Sequence, residues 1–194
     1  AAPSAQTVGG VRYVFDRWSD GGAATHEVTT PATATTYTAI YREDSGSTGT
    51  GLTATYYNNS DLTGTSVTRL DPTINFNWGN GPPAPGIASD TFSVRWEGYL
   101  VIPPREGGPY TLSLRSDDAS WLYLDGALVV DNGGVHTAVL RSGLVDLTPG
   151  PHQLRIDYAE LVPRLSLISF QWRKPNGERG SVPSAVLFTE PPGR

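Results

Sequence analysis

The sequence predicts an all-β chain, an antiparallel β-sandwich preceded by a small partial β domain. Two observations lead to this fold class. The 22 glycines and 16 prolines of the 194 residues fall in short clusters between runs rich in Thr, Val, Leu and Tyr, and this composition favours strands joined by turns. Several runs also alternate apolar and polar side chains with a period of two, as a strand with one buried face requires.

The strand-and-turn pattern is interrupted once along the chain. Between two patterned regions lie six residues that are all Gly, Ser or Thr, which is the composition of a flexible linker. We therefore predict three segments: a small partial β domain at residues 1–44, a linker at residues 45–50 and a sandwich domain at residues 51–194.

The first segment is short and rich in turn residues. Trp18 precedes the sequence Ser-Asp-Gly-Gly at residues 19–22, and two alternating segments follow around residues 26–30 and 35–41. Turn residues between alternating segments predict consecutive antiparallel strands. We interpret these segments as the later strands of a small β domain.

The long segment contains the clearest strands. Leu112 and Leu114 alternate with polar residues, so this strand is expected to have one core face and one solvent face. Asp-Gly at residues 125–126 predicts a hairpin turn. The sequence NGPPAPG at residues 80–86 predicts a surface loop, because proline has no N–H to donate to a sheet.

Composition and charge exclude several classes of function. The formal net charge is −5, so we expect no nucleic-acid partner and no binding to anionic lipid. No apolar run approaches the roughly 20 residues that span a bilayer, and the first residues lack signal-peptide character, so we expect no membrane insertion and a mature form or an excised fragment. The absence of Cys and Met, with abundant Thr, Ser, Asn and Gly, favours an extracellular or cell-surface protein.

Sequence motifs of common enzymes are missing. The three histidines occur in no HExxH spacing, and the chain has neither a GxSxG elbow nor a P-loop. Glycoside hydrolysis needs two carboxyl groups about 5–9.5 Å apart across a cleft, whereas the conspicuous acidic pair of this chain, Asp117 and Asp118, consists of neighbours. We therefore expect that the chain is not an enzyme.

Residues 51–183 resemble the PA14 domain family. The matching motifs, in chain order, are GLTATYY, RLDPTINFNWGNGPP, FSVRWEGYLVIP, YTLSLRSDDASWLYLDGALVVDN, LTPGPHQLRIDY and FQWRKPNG. PA14 domains are β-sandwich modules of bacterial toxins, glycosidases and adhesins and of yeast flocculins. The resemblance implies the same fold, and it implies that the parent chain is a secreted or surface protein with further domains.

The first segment resembles the B-repeat type of bacterial surface proteins. Phe15, Trp18 and the turn at residues 19–21 are followed by the Thr-Tyr-Thr-Ala-x-Tyr strand at residues 36–41. The hairpin that comes before this motif in the B-repeat type is missing here. The resemblance therefore implies that the chain begins inside a domain.

The acidic pair Asp117-Asp118 follows a predicted strand directly. Neighbouring carboxylates repel each other and raise each other's pKa unless a cation or hydrogen-bond donors compensate. Ca²⁺ takes about 6 to 8 oxygen ligands, so two Asp residues hold it only together with carbonyls, water or a ligand's hydroxyls. An Asp pair in a turn also hydrogen-bonds its own backbone, and the spacing alone leaves both interpretations open.

The resemblance to PA14 extends to this pair. In carbohydrate-binding PA14 domains, an Asp-Asp pair at this place is joined by a cis peptide bond and holds Ca²⁺, which chelates vicinal sugar hydroxyls. The resemblance thus implies Asp117 and Asp118 as calcium ligands. The family completes the site from a later loop, often with an Asn. The corresponding loop here, residues 159–164, has no Asn, and Glu160 is its one carboxylate.

Four further residues are candidate ligand contacts. Trp121 and Tyr123 share one face of a strand just after the acidic pair, and aromatic rings there stack on sugar C–H faces or simply cover a neighbouring loop. Asn132 and His136 belong to a glycine-rich loop that lines the same end of the sandwich or is merely a turn.

Together these features predict a calcium-dependent carbohydrate-binding module, of lectin or adhesin type, in a larger secreted or cell-surface protein. Its predicted partner is a glycan or cell-surface polysaccharide. The alternative from another class is a structural spacer or protein-interaction module that binds no sugar.

Overall fold

The computed structural model describes residues 1–8, 11–43, 49–163 and 165–192. The chain divides into two compact units with a boundary between residues 47 and 48. Apart from one 3₁₀ turn at Ser184–Val186, all regular elements of the described residues are β-strands. The described residues contain no helix with the length and hydropathy that crossing a bilayer requires. The predicted all-β fold is confirmed.

The first unit is an antiparallel sheet of three strands with the spatial order β1-β2-β3. Its strands are β1 (Ala5–Val8), β2 (Val11–Trp18) and β3 (Ala39–Glu43). The predicted turn after Trp18 is present: the Gly21 N–H donates to the Trp18 carbonyl at 2.8 Å, and Gly21 has a φ of 82°. A positive φ is what favours glycine at this position.

The predicted strand around residues 26–30 is not formed. Both edges of β2 are already occupied by β1 and β3, and His26 instead makes local contacts. Its ring nitrogens lie 2.9 Å from the Ala23 carbonyl and 2.9 Å from an Asp20 carboxylate oxygen. The alternation of residue types at 26–30 therefore belongs to a loop, and of the segment at 35–41 only the end is part of β3.

The second unit is a sandwich of two antiparallel sheets. The seven-stranded sheet has the order β10-β9-β12-β7-β4-β5, with β15 also paired to β7. Its strands are β4 (Leu52–Tyr57), β5 (Ser66–Asp71), β7 (Ser93–Ile102), β9 (Ala119–Leu124), β10 (Ala127–Asn132), β12 (Gly150–Ala159) and β15 (Leu187–Phe188).

The five-stranded sheet has the order β11-β8-β13-β14, with β6 also paired to β13. Its strands are β6 (Asn75–Gly79), β8 (Gly108–Asp117), β11 (Val139–Leu147), β13 (Ser166–Arg173) and β14 (Arg179–Ser181). Where the edges of the two sheets approach, a side chain on Gly143 of β11 would lie 2.0 Å from the Val129 carbonyl of β10. Gly143 therefore permits this close contact.

The core lies between the two sheets. Leu112 and Leu114 are completely buried, as their alternation predicts, and they pack in one cluster with Trp96 and Trp172. Complete burial of such side chains contributes roughly 1.5–3 kcal/mol each relative to exposure. The core thus consists of the inward-facing residues of both sheets.

The structure also contains both predicted connections. Residues 80–86 form a loop without strand residues. Asp125 and Gly126 connect β9 to β10 with φ values of 49° and 81°. Two successive positive φ values define the turn type that joins hairpin strands with two residues.

Of the predicted linker at residues 45–50, the structure describes Gly49 and Thr50. Gly49 is buried, and its N–H donates to the Ala185 carbonyl at 3.0 Å. A side chain there would lie 2.3 Å from the carbonyls of Ser184 and Leu187, so this glycine is required by packing and not by flexibility. Residues 44–48 of the predicted segments lie outside the described residues.

Candidate functional site

The acidic pair lies at the end of β8, before β9 begins. The peptide bond between Asp117 and Asp118 is cis, as the resemblance to PA14 implies. Asp117 is 7% exposed and Asp118 is 0% exposed. The pair is therefore part of the interior of the sandwich end and does not project from a surface turn.

The Asp118 carboxylate accepts three backbone hydrogen bonds. One oxygen accepts the N–H of His136 at 3.1 Å, and the other accepts those of Leu161 and Val162 at 3.0 and 3.1 Å. These donors come from two separate loops, the glycine-rich loop after β10 and the loop after β12. Hydrogen bonds to a charged acceptor are the strong ones, so Asp118 ties both loops to the end of β8.

Tyr158 on β12 links the other two acidic residues. Its buried hydroxyl lies 2.5 Å from the Asp117 carbonyl oxygen and 2.6 Å from a carboxylate oxygen of Glu160. Burial raises the pKa of Tyr158 well above its ordinary value, and the hydrogen bond to Glu160 and the negative charges of Glu160 and the Asp pair raise it further. Tyr158 therefore stays neutral and acts as a hydrogen-bond donor.

Asn132 belongs to a second hydrogen-bonded group beside the acidic residues. It is 2% exposed, and its amide donates to the Ser116 hydroxyl at 2.8 Å and to the Val139 carbonyl at 3.2 Å. The hydroxyls of Ser116 and Ser120 are 2.7 Å apart. Asn132 thus joins β10 to β8 and β11, with its amide directed inward.

We call these residues the strand-end cluster. Its members are Ser116, Asp117, Asp118, Ser120, Asn132, Tyr158 and Glu160.

His136 also faces backbone groups. Its two ring nitrogens lie 2.9 Å from the Thr137 carbonyl and 3.0 Å from the Asn132 carbonyl. An imidazole with one N–H donates to one of these two carbonyls, and both carbonyls belong to the segment of residues 132–137.

The two predicted aromatic contacts are partly covered. Trp121 packs against the backbone of Gly133, since a side chain added there would lie 3.0 Å from the indole ring. The Arg155 guanidinium lies over the Tyr123 ring, 3.9 Å from its centre, which is a cation–π contact. Trp121 therefore covers the neighbouring loop, and one face of Tyr123 is already stacked.

The predicted calcium ligand Asp118 already accepts hydrogen bonds on both of its carboxylate oxygens. Amide N–H groups converge on both oxygens of Asp118, whereas Ca²⁺ requires oxygen atoms to converge. Asp118 and Glu160 are fully buried, and within the described parts of the chain no group of three or more His, Cys, Asp or Glu side chains is placed to hold a metal. Calcium binding itself stays a prediction, and no function below depends on it. Residue 164 of the candidate loop lies outside the described residues.

The sequence predicts that five candidate residues lie at one end of the sandwich, and the structure places all five there: Asp117, Asp118, Asn132, His136 and Glu160. Sequence reasoning missed Tyr158, which occurs in the alternating run at residues 153–158 and looks like an ordinary core residue. It also missed the amide donors of the loop after β12. A backbone N–H leaves no signal in a sequence, so the internal saturation of Asp118 was not predictable.

Comparison with known proteins gives the family and two kinds of relatives. The model of the PA14 domain family matches residues 48–185. The Anti-sigma-I factor RsgI3 of Acetivibrio thermocellus is 32% identical over 121 residues, which is 62% of this chain and 18% of that protein. A solved anti-sigma factor domain-containing protein from Clostridium clariflavum is 29% identical with a TM-score of 0.67, over 74% of this chain and 48% of that one.

A second solved anti-sigma factor domain-containing protein is 31% identical with a TM-score of 0.68, over 76% of this chain and 50% of that one. The chain thus spans about half of each of these structures. The PA14 sugar-binding domain of an RTX adhesin has a TM-score of 0.60 over 73% of this chain and 99% of its own, but is only 18% identical. That likeness shows a common fold and nothing finer.

These relatives overturn the predicted function. The calcium-dependent lectin or adhesin with a glycan partner is wrong, because the relatives with 29 to 32% identity are anti-sigma factor proteins, and the sugar-binding neighbour is much less similar. The reason for the error is that one fold hosts different functions, so the resemblance to PA14 did not identify the partner. The resemblance of residues 1–44 to a B-repeat stays a prediction, since the family match begins at residue 48.

The sandwich of two antiparallel sheets, the cis bond of the acidic pair and the match over residues 48–185 lead to one conclusion: this chain belongs to the PA14 domain family.

Proposed function

We propose that this chain is a non-catalytic module of a larger regulatory protein of anti-sigma-factor type, in which it serves protein contact or spacing. The observation that carries the proposal is the 29 to 32% identity with three anti-sigma factor proteins. The chain spans 18% of the curated relative, so the regulatory activity of the whole protein is part of the proposal. This proposal adopts the alternative that was predicted from the sequence, a structural spacer or protein-interaction module.

The strand-end cluster supports a structural role for the acidic pair. Asp118 holds two loops through three amide donors, and Asn132 holds a third element through Ser116. A side chain whose hydrogen-bonding groups are satisfied internally fixes the shape of a module and offers little to a ligand. The end of the sandwich therefore serves as a rigid boundary of the domain.

We propose an extracellular position for the module. The lack of Cys and Met and the low charged fraction of 17% support this placement. Protease treatment of intact cells that express the parent protein tests it. We expect cleavage within this segment before lysis, and protection until lysis would contradict it.

The regulatory proposal is tested by exchange of modules. In the anti-sigma-I factor of A. thermocellus, the segment similar to this chain is deleted in one variant and replaced by the whole chain in another. A reporter transcribed by the sigma factor that this relative controls is then measured in both. We expect deletion to alter the basal reporter level and replacement to restore it to within about twofold.

One further arm completes the exchange experiment. An unrelated β-sandwich of similar length separates spacing from contact: if it also restores the reporter, the module is a spacer, and if it does not, the module acts through its surface. A replacement that behaves like the deletion contradicts the proposed function.

A further inference from the structure

The outer face of the five-stranded sheet has a distinctive composition. The centre of this outer face consists of small hydroxyl and amide side chains. We call the whole outer face the serine face. The serine face comprises Thr111, Ser113 and Arg115 of β8, Leu140, Ser142, Leu144 and Asp146 of β11, Ser169, Gln171 and Arg173 of β13, and Arg179 of β14.

The centre of the serine face is hydrogen-bonded and covered by its neighbours. The hydroxyls of Ser113 and Ser142 are 2.8 Å apart across neighbouring strands, and the Gln171 amide donates to the Ser169 hydroxyl at 3.1 Å. Ser113 is 9% exposed and Ser169 is 8% exposed. The longer side chains around these serines therefore form most of the surface that a partner would contact.

Three arginines of the serine face have no anionic partner. Arg115, Arg173 and Arg179 are exposed, and within the described residues none of the three forms an ion pair. Arg173 and Arg179 are direct cross-strand partners. Like charges opposite each other destabilise a strand pair. Since neither arginine forms an ion pair among the described residues, their repulsion is not offset.

The positive charge contrasts with the rest of the molecule. The chain has 19 acidic and 14 basic residues, and on the other sheet Arg95 pairs with Asp157 at 2.7 Å. The serine face instead carries three arginines that form no ion pair among the described residues and one exposed carboxylate, Asp146, on a protein of net negative charge. Such a face attracts an acidic partner over a distance of about a Debye length, near 8 Å at physiological salt.

Two exposed leucines flank the arginines. Leu140 is 51% exposed and Leu144 is 76% exposed, and Leu140 is the cross-strand partner of Arg115. A cavity of about 220 Å³ lies beside Leu144. It is lined by Pro109, Thr111, Leu144, Arg173, Lys174 and Pro175. An apolar group beside a cationic group distinguishes a protein partner from a simple polyanion.

We propose that the serine face binds an acidic β-strand or hairpin of another protein. Arg115 and Arg173 lie four residues apart in register, since Arg115 pairs with Ser169, and four residues of strand cover about 14 Å. Side chains at positions i and i+4 of a strand point to the same face. The partner therefore presents two carboxylates four residues apart, with apolar residues on the adjacent strand that contact Leu140 and Leu144.

This inference rests on the proposed function, because it names the contact through which such a module acts. It has its own readout, since it is measured on the isolated 194-residue chain without any reporter. If the exchange of modules fails, a positive binding result still stands. If binding fails, the exchange experiment still tests whether the module is a spacer.

The test is a titration with a designed hairpin, followed by NMR of the ¹⁵N-labelled chain. One strand of the hairpin carries Glu at i and i+4, the other carries Val at the facing positions, and an Asn-Gly turn joins them. We expect chemical-shift changes on β8, β11 and β13, and a loss of affinity of at least tenfold in Arg115→Glu. Arg42→Glu, an exposed arginine of β3, is the matched control and should change affinity less than twofold.

Three results would overturn the inference. One is no binding of the hairpin at about 1 mM. A second is equal affinity of a control hairpin with Gln in place of Glu, which would remove the role of charge. The third is Arg115-dependent binding of polygalacturonate that is as strong as that of the hairpin, which would assign the face to polyanions in general. Leu144→Ser should weaken the hairpin and leave polygalacturonate unchanged.

Discussion

The strand-end cluster and the serine face differ in whether their charged side chains have partners within the protein. In the cluster, a completely buried carboxylate accepts hydrogen bonds from three backbone amides. On the serine face, three exposed arginines form no ion pair among the described residues. In the first region the carboxylate of Asp118 joins loops, whereas in the second region the arginines are exposed to solvent or to another molecule.

This difference shows which charged groups indicate function. The acidic pair is conspicuous in the sequence, yet its hydrogen bonds are internal, so its loss should affect folding first. The arginines are scattered through the sequence and form a group only in the sheet, so their loss should affect binding and leave folding nearly unchanged. Stability measurements on both regions therefore test the contrast.

The largest effect is expected for Asp118→Asn. The new NH₂ group must face at least one of the amide donors that the carboxylate now accepts, and a buried donor without a partner is costly. We expect the free energy of unfolding to fall by about 3 kcal/mol. At about 2–4 °C per kcal/mol for a chain of this size, the midpoint of thermal unfolding should fall by roughly 10 °C.

The matched control for Asp118→Asn is Asp146→Asn, which removes the same charge from an exposed position of β11 and should shift the midpoint by less than about 1 °C. Both proteins are melted with excess Ca²⁺ and with chelator, and calorimetric titration follows calcium directly. We expect no difference between the two conditions. A calcium-dependent rise in the midpoint that disappears in Asp118→Asn would restore the cation site that the sequence predicted.

The second effect compares arginines on the two outer sheet faces. Arg95 on β7 makes two hydrogen bonds to Asp157, at 2.7 and 2.9 Å, and Asp157 is 5% exposed. Arg95→Met leaves this buried carboxylate with the more distant Arg155 at 3.4 Å. Urea unfolding should show a loss of about 2 kcal/mol for Arg95→Met and less than about 0.5 kcal/mol for Arg115→Met.

Equal losses for the two arginine variants would contradict the contrast between the faces. The double variant Arg95→Met with Asp157→Leu is the informative control, because it removes the stranded carboxylate. It should recover part of the stability lost in Arg95→Met.

The smallest effect is expected in the first unit, at the exposed pair of His26 and Asp20. The hydrogen bond to Asp20 raises the pKa of His26 above its ordinary value of 6.5. The backbone N–H of Gly22, followed by the hydrogen bond with His26, lowers the pKa of Asp20 below its ordinary value of 3.8. The His26 contribution to stability is complete below pH 6.5 and is lost as pH rises through its raised pKa.

The Asp20 contribution is complete above pH 3.8 and is lost as pH falls through its lowered pKa. The pair should therefore stabilise the loop most between these two values. NMR titration of the His26 ring is the measurement, and Asp20→Asn should lower its pKa toward 6.5. A pKa of His26 that is the same in both proteins would show that the pair does not form in solution.

Much of the fold followed from local patterns. The alternation at Leu112 and Leu114 identified a half-buried strand, and Asp-Gly at residues 125–126 identified the hairpin between β9 and β10. The predicted strand at residues 26–30 failed, because alternation does not show whether a sheet edge is free to accept a strand. Composition does not show that Gly49, in the predicted linker, packs against Ser184 and Leu187, because glycine permits close packing as well as flexibility.

The sequence by itself determined the fold class, the position of the acidic pair at a strand end and the family. These depend on local periodicity, on turn residues and on an ordered set of motifs, all of which are properties of neighbours along the chain. Only the tertiary structure decided what the acidic pair contacts and where the unpaired arginines gather. Hydrogen bonds from Leu161 and Val162 to Asp118, and the pairing of Arg115 with Ser169 that places Arg115 and Arg173 on one face, are made by strand order and loop position, which bring together residues that the sequence keeps apart.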